Sequence, residues 1–296
     1  MQDIIENLRQ IYGIQSEEQF KEYLNKAIVL TTTGKRPDKN KTLVMVGGQP
    51  GAGKSRLIGT ANSELGNNAV IVDFDELRRL HPSYLDVSNN YPEITYKILQ
   101  KDLDVIKDML VEYLTENEYN VIYEGALRNV NGFLKLAQIF KNRGYKINLK
   151  VMAVPELESY GSTLLRYAYN MITDRVPRWV EKSAHDDAYV SMLKTIQAFE
   201  EQNITDNIDI YVRSSDTPRK IFPTKERQFK NAISAILYGR EINRRKAVEA
   251  FPEKYQFVKQ TFEQRQPELI ERLDSWEQLY KEEVKYLKGL KGIQEK

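Results

Sequence analysis

The chain has 296 residues, with 44 Lys and Arg against 42 Asp and Glu, and it contains no cysteine. Disulfides and cysteine-ligated zinc are therefore excluded, and a net charge of +2 gives no overall attraction to nucleic acid or anionic membranes. Since no apolar run approaches the about 20 residues that span a bilayer, and the charged N-terminus is unlike a signal peptide, we expect a cytoplasmic protein without nucleic-acid or membrane partners.

Apolar residues at helical spacing predict two short helices within residues 1–32, followed by a polar connector. Short apolar runs predict strands at 42–48, 69–72, 121–123, 147–154 and 209–214, the last of these being the final strand. The first three runs end at glycine or acidic residues. Helical patterns separate them at 95–120, 133–142 and 156–202. This alternation predicts an α/β fold with a parallel sheet flanked by helices.

The chain changes character near residue 225, where it becomes polar and helical with few prolines and glycines. We therefore predict a kinase-like domain over 1–224, including the N-terminal helices, and a helical C-terminal extension over 225–296. The extension is interpreted as packing surface, with an interaction arm or an inhibitory element as the alternatives.

The segment GQPGAGKS satisfies the phosphate-loop pattern G-x-x-x-x-G-K-[ST], with a strand before it and a helix after it. In this pattern the backbone N–H groups surround the phosphates of a nucleotide, and the helix presents its positive end to them. The lysine adds a charge near the β and γ phosphates, and the serine hydroxyl can hold Mg²⁺. The predicted nucleotide-binding residues are Gly48, Gln49, Pro50, Gly51, Ala52, Gly53, Lys54 and Ser55, with Ser55 as the metal ligand.

A phosphate loop identifies a site for ATP or GTP but no reaction, because switch GTPases, motors and small-molecule kinases all use it. A switch GTPase should carry a base-reading N/TKxD element, and no convincing one follows the loop. A motor would need a larger ATPase core. A kinase needs an acceptor pocket, a base for the acceptor hydroxyl and arginines near the γ phosphate.

Two aspartates, Asp73 and Asp75, follow the predicted strand at 69–72, at the edge where open α/β sheets bind ligands. On extended backbone they would point the same way, so one could serve Mg²⁺ through water while the other accepts a substrate proton. The alternative is that Asp75 caps a helix that begins at Glu76.

Further candidates follow the later strands. Glu124 ends a strand and precedes Gly125 and Arg128, so its carboxylate could bind sugar hydroxyls or the metal shell. Arginines at 166, 175 and 178 lie on a helical stretch that Pro177 interrupts, and such groups can stabilise charge on a transferring phosphoryl group. His81 and His185 lack a visible third ligand, which favours hydrogen-bonding roles over metal binding.

The segments GGQPGAGKS, IVDFDELRRLHP, YNVIYEGALR, GYKINLKVMAVPELESYGSTLLRY and RWVEKSAHD resemble those of the zeta toxins, in the same order and near the same spacing. Zeta toxins are bacterial P-loop kinases of toxin–antitoxin modules, and the resemblance covers roughly residues 40–215. It implies a kinase that uses ATP or GTP to phosphorylate the 3′-hydroxyl of the sugar in UDP-N-acetylglucosamine. It also implies a small helical antitoxin that blocks the nucleotide site.

Carried over by position, the resemblance implies that Asp75 is the catalytic base and that Lys54 is the phosphate-loop lysine. It implies that Arg166 and Arg178 are the catalytic arginines, with Arg175 competing for the second role because the interval is one residue short. Glu124 and Arg128 match the substrate-binding E-G-x-x-R segment, and Asp108 lies where the family has a substrate-binding glutamate.

The chain departs from the family at Ala126, where a threonine usually follows E-G. The missing hydroxyl removes a hydrogen bond to the substrate, so a different nucleotide or metabolite acceptor is the second hypothesis. The third hypothesis is a non-catalytic nucleotide-binding module whose C-terminal helices recruit a protein.

Overall fold

The computed structural model describes residues 2–91, 94–173, 175, 179–225 and 227–294. The strands are β1 (Thr42–Gly47), β2 (Ala69–Val72), β3 (Asn120–Gly125), β4 (Lys146–Met152), β5 (Asn207–Val212) and β6 (Arg219–Phe222). The helices are α1 (Gln2–Tyr12), α2 (Glu17–Thr32), α3 (Lys54–Glu64), α4 (Phe74–Arg79), α5 (Tyr84–Asn90), α6 (Thr95–Ile98), α7 (Gln100–Glu116), α8 (Val130–Asn142), α9 (Glu156–Ile172), α10 (Lys182–Glu201), α11 (Ala232–Ile242), α12 (Arg244–Arg265) and α13 (Asp274–Gln294). A 3₁₀ helix, Pro267–Leu273, joins the last two.

The strands form a mostly parallel sheet in the order β2-β3-β1-β4-β5-β6. Parallel pairing places Ala69 opposite Asn120 in the β2–β3 pair, and Asn148 opposite Asn207 in the β4–β5 pair. Every residue of β1 is buried, as expected for a central strand with both faces covered. The predicted α/β fold of strands and flanking helices is confirmed.

Two predicted elements differ from the structure. The strand at 209–214 was expected to be the last, but β6 follows it and pairs antiparallel with β5, with Ile210 opposite Phe222. The sequence of β6, RKIF, buries only Ile221, so it lacks the apolar signal of the other strands. The long helix predicted from residue 95 divides at Leu99 into α6 and α7.

The chain divides into two compact units. The first comprises Met1–Met45, Ala61–Glu124 and Gln138–Ile147, and the second comprises Val46–Thr60, Gly125–Ala137 and Asn148–Lys296. The predicted division into 1–224 and 225–296 stays a prediction. No helix in the described part of the chain is both long enough and apolar enough to cross a membrane.

Within the second unit, the C-terminal helices share a hydrophobic core with α9. The side chains of Phe251, Phe262 and Trp276 are buried together with Leu157 and Tyr160 of α9. The indole N–H of Trp276 donates to the carbonyl oxygen of Leu157 at 3.3 Å, so the ring is bonded as well as packed. The segment after residue 225 thus packs against α9, in agreement with its interpretation from the sequence as packing surface.

Within the first unit, the N-terminal helices are bonded to the segment that follows β2. The hydroxyl of Tyr23 on α2 donates to the carbonyl oxygen of Leu77 at 2.8 Å. His81 Nδ1 accepts from the amide of Ser83, so Nε2 carries the proton that is donated to Asp102 at 3.1 Å. His81 therefore has the hydrogen-bonding role expected from the sequence.

Candidate active site

The loop between β1 and α3 has the backbone geometry of a phosphate cradle. Gly51 and Gly53 have φ angles of +73° and +91°, which side chains other than glycine rarely adopt. A Cβ atom on Gly51 would also overlap the backbone carbonyl oxygen of Ser159. Only glycine fits at position 51. The residues of this loop therefore suit a backbone that comes close to a ligand.

Lys54 begins α3 and its ammonium group lies over the loop, donating to the carbonyl oxygens of Gly48 at 2.9 Å and Gln49 at 3.3 Å. Ser55 lies in the first turn of the same helix, where N–H groups and the helix dipole favour anions. These groups fit the triphosphate of a nucleotide, and the Ser55 hydroxyl fits a Mg²⁺ ligand.

The side chain of Gln49 is buried and bonded beneath the loop, a role that the motif does not reveal. Its amide nitrogen donates to the carbonyl oxygen of Val154 at 2.9 Å and to the hydroxyl of Ser159 at 3.1 Å. The Ser159 hydroxyl in turn lies 2.9 Å from Nε2 of His185. The position of the loop is therefore coupled to α9 and α10 through buried polar groups.

His185 is neutral in this arrangement. Burial lowers the pKa of its imidazole, and the hydrogen bond to Asp186 opposes this only in part. Because a carboxylate can only accept, the 3.2 Å contact with Asp186 places the proton on Nδ1. Nε2 then accepts from the hydroxyl of Ser159.

Three ligand-type side chains, those of Glu156, His185 and Asp186, lie close enough together to hold a metal ion. The ammonium group of Lys182 lies among them, 2.9 Å from Glu156 and 2.7 Å from Asp186. Although burial opposes it, these two hydrogen bonds raise the pKa of Lys182, so the group stays charged. Lys182 thus supplies the positive charge that a cation would bring, which favours the hydrogen-bonding role predicted for His185.

Arg213 is a further residue that sequence reasoning missed. It follows β5, and its guanidinium group donates to the carbonyl oxygens of Gly51 and Ala52 in the phosphate loop. It also donates to Glu158 at 2.9 Å and to Ser162 at 3.0 Å, both on α9. In the sequence it was only an arginine near the end of the strand predicted at 209–214, with no motif attached to it.

Asp73 and Asp75 do not share extended backbone, as the sequence had suggested. The strand ends at Val72, and Asp73 caps α4 by accepting from the amides of Asp75 at 2.8 Å and Glu76 at 3.3 Å. Asp75 lies in the first turn of α4, where it accepts from Arg78 Nη1 at 2.7 Å. The capping role therefore belongs to Asp73, and the partly exposed Asp75 remains the candidate base.

The predicted acceptor residues lie at three places. Glu124 is at the end of β3 and is partly exposed. Arg128 is exposed and lies 3.5 Å from Asp187 of α10. Asp108 is an exposed residue of α7. Burial is the main cause of the raised pKa of Tyr123, and the charge of Asp108 is the second largest cause. Asp108 is thus close to the residue that precedes Glu124.

Of the predicted arginines, Arg166 is exposed on α9. Arg175 is also exposed, and its amide donates to the carbonyl oxygen of Asn170 at 3.0 Å just after that helix. Arg178 lies outside the described residues. The roles of all three stay predictions.

Comparison with known proteins gives the same family as the sequence motifs. The zeta toxin family model matches residues 26–227, which include the phosphate loop, α4, β3 and Arg213. The chain belongs to the zeta toxin family. The predicted membership and the kinase-like, nucleotide-binding fold are therefore confirmed.

The relatives span most of this zeta toxin family member. Toxin PezT of Streptococcus pneumoniae serotype 4 (strain ATCC BAA-334 / TIGR4) is 32% identical over 228 residues, covering 76% of this chain and 88% of that protein. Toxin zeta of Streptococcus pyogenes is 26% identical over 237 residues, with 77% and 81% covered. A solved structure from the PezAT chromosomal toxin–antitoxin system of Streptococcus pneumoniae has a TM-score of 0.71 at 25% identity, covering 83% of this chain and 97% of that one.

A more distant structure shares only the fold. The AvrRxo1-ORF1:-ORF2 complex, solved with ATP, has a TM-score of 0.52 at 14% identity and covers 84% of this chain and 83% of that one.

Proposed function

We propose that this zeta toxin family member is a small-molecule kinase that transfers the γ phosphate of ATP or GTP to a sugar hydroxyl. The acceptor that the family resemblance favours is the 3′-hydroxyl of UDP-N-acetylglucosamine. The observation that carries the proposal is the phosphate loop itself, with Gly51 in a conformation restricted to glycine and the Lys54 ammonium group over the loop carbonyls. These features support a binding site for the donor nucleotide at this loop.

Lys54 binds the β and γ phosphates, and the Ser55 hydroxyl holds Mg²⁺, whose charge offsets that of the phosphates. Arg166, with Arg178 or Arg175, neutralises charge that develops on the transferred group. Asp75 accepts the proton of the attacking hydroxyl. Its exposure supports that role, because a base must be reachable by the acceptor, while Arg78 fixes its carboxylate in one orientation.

Glu124, Arg128 and Asp108 bind the acceptor in this proposal. A carboxylate suits sugar hydroxyls, and an exposed arginine suits the diphosphate of a sugar nucleotide. Ala126 supports the second candidate, a kinase of the same scaffold with a different acceptor, because it cannot supply the hydroxyl that the family threonine offers.

A partner protein forms part of the proposal. One solved relative comes from a toxin–antitoxin system. We propose that this chain likewise acts as the toxin of such a pair, and that a small helical antitoxin covers the nucleotide site. Co-expression with the product of the neighbouring reading frame, followed by purification through a tag on either protein, tests this. A stable complex that binds no nucleotide is the expected result.

The activity test incubates the purified protein with γ-labelled ATP or GTP, Mg²⁺ and a panel of UDP-sugars. Transfer to UDP-N-acetylglucosamine supports the first acceptor, and transfer to another compound supports the second candidate. A protein that binds ATP but transfers to nothing under any Mg²⁺ condition would be a binding module. Lys54→Ala is the control that should remove both nucleotide binding and transfer.

A further inference from the structure

The guanidinium group of Arg213 uses all three of its nitrogens to join the phosphate loop to α9. Nε donates to the carbonyl oxygen of Ala52 at 3.3 Å, and Nη2 donates to that of Gly51. Nη1 donates to the carboxylate of Glu158 at 2.9 Å and to the hydroxyl of Ser162 at 3.0 Å. Because the guanidinium group is planar and rigid, four acceptors are held in one fixed arrangement.

These contacts determine the direction of a backbone amide in the loop. In a planar trans peptide the C=O and the N–H point in opposite directions. The carbonyl of Ala52 faces Arg213, so the N–H of Gly53 points away from the arginine. The other N–H that Arg213 orients, that of Ala52, closes the turn by donating to Gln49 at 3.1 Å. The N–H of Gly53 therefore points away from Arg213, as an amide that binds phosphate in this loop must do.

Glu158 determines how the arginine acts. Its carboxylate lies 2.9 Å from Nη1 and offsets the guanidinium charge, so Arg213 adds little net positive potential to the loop. Gly53 has no side chain between its backbone and Arg213: a Cβ atom there would lie 3.3 Å from Nε. Shape and hydrogen bonding, rather than charge alone, are what this arginine contributes.

We propose that Arg213 is a positioning residue for the donor nucleotide: by bonding the carbonyl oxygens of Gly51 and Ala52, it holds the loop amides in the direction that binds phosphate. The inference rests on the proposed binding of a nucleoside triphosphate at this loop. Arg213 does not touch the reacting atoms. Its loss weakens nucleotide binding, and the site for the acceptor is left as it was.

The experiment measures the Kd for MgATP by titration calorimetry, with no acceptor present and no turnover. Arg213→Gln removes the fork and should raise the Kd at least about tenfold, the equivalent of one charge-assisted hydrogen bond. Arg213→Lys keeps the charge but cannot bond both carbonyls, so it should resemble Arg213→Gln. Arg245→Gln, an exposed residue of α12, is the matched control and should bind as the wild type does.

Unchanged affinity in a folded Arg213→Gln variant overturns the proposal, and so does full recovery by Arg213→Lys, which would make charge sufficient. If Arg213→Gln does not fold, Ser162→Ala decides instead, because it removes one acceptor of Nη1 without changing the charge near the loop. It should raise the Kd, and unchanged affinity overturns the proposal. If the wild type binds MgATP but transfers no phosphate, the kinase proposal fails while the test of Arg213 remains valid. Where transfer occurs, KM for the nucleotide should rise and KM for the acceptor should not.

Discussion

Asp73 accepts a hydrogen bond from the amide of Asp75 at 2.8 Å, so one aspartate of the D-x-D pair holds the other at the start of α4. The two carboxylates are two residues apart but do different work. Asp73 satisfies amides that the first helical turn leaves without partners. The carboxylate of Asp75 accepts a hydrogen bond from Arg78 and is partly exposed to solvent.

Asp75→Asn should therefore abolish most phosphate transfer while leaving the Kd for ATP nearly unchanged. A positioned general base contributes about 100-fold to 10,000-fold, and an amide cannot accept the proton. The measurement is kcat with labelled ATP beside the Kd from calorimetry. Wild-type turnover in this variant would remove Asp75 from the base role.

Asp73→Asn is the matched control, since asparagine caps helices as well as aspartate does and should preserve both stability and activity. Asp73→Ala should cost about 1 kcal/mol of unfolding free energy through the lost cap. Urea denaturation of the two variants separates the cap from any part in catalysis. A loss of kcat in Asp73→Asn without a loss of stability would instead support the hypothesis that Asp73 holds Mg²⁺ through water.

The prediction of Asp75 as an extended-strand residue was wrong because the helix begins one residue after the cap, at Phe74. Sequence reasoning found the elements whose signal is local: the apolar runs of β1, β2 and β3, and the glycine pattern of the loop. It missed β6, which pairs with β5 but has a single buried apolar side chain, that of Ile221, and therefore no apolar run. It missed Arg213 because that role depends on carbonyl groups more than 160 positions earlier in the chain.

The buried His185 predicts how stability depends on pH. Burial lowers the pKa of this imidazole in the folded chain, against Asp186 and Glu156, which raise it, while Lys182 lowers it. Below the ordinary histidine pKa of about 6.5, the unfolded chain binds a proton that the folded chain does not. Stability from this group is thus fully present above about pH 6.5 and is lost as the pH falls toward the folded-state pKa.

His185→Gln should remove that part of the pH dependence. At neutral pH the variant should also lose about 1 to 3 kcal/mol, because the Ser159 hydroxyl and the Asp186 carboxylate lose a fitted partner. The measurement is urea denaturation of both proteins between about pH 5.5 and about pH 7.5. Identical pH slopes in the two proteins would show that His185 does not titrate on unfolding.

The packing of Trp276 on α9 predicts that the C-terminal helices are needed for the stability of the second unit. The indole is buried against Gly161, and it lies 5.0 Å from the ring of Phe251. Trp276→Ala should cost about 3 to 5 kcal/mol, whereas Leu290→Ala on the exposed end of α13 should cost less than about 0.5 kcal/mol. Circular dichroism during urea unfolding measures the stability of both variants. An early, separate transition confined to the C-terminal helices would instead make them an independent arm.

Two glycines of the same segment should respond to alanine with opposite signs. Gly59 lies within α3, and a Cβ atom there would meet no atom within 4 Å. Gly59→Ala should therefore stabilise the protein by about 0.5 to 1 kcal/mol, because alanine loses less backbone entropy in a helix. Gly51 has a φ of +73°, and its Cβ would overlap the carbonyl oxygen of Ser159. Gly51→Ala should cost about 1 to 2 kcal/mol from the backbone conformation alone.

The same pair also tests the donor site, because the two substitutions add the same methyl group on either side of Lys54. Gly51→Ala should raise the Kd for MgATP at least about tenfold, since a loop that must move away from Ser159 no longer presents its amides to the phosphates. Gly59→Ala should leave that Kd unchanged. If both variants bound MgATP like the wild type, the nucleotide phosphates would not be held by the backbone of this loop.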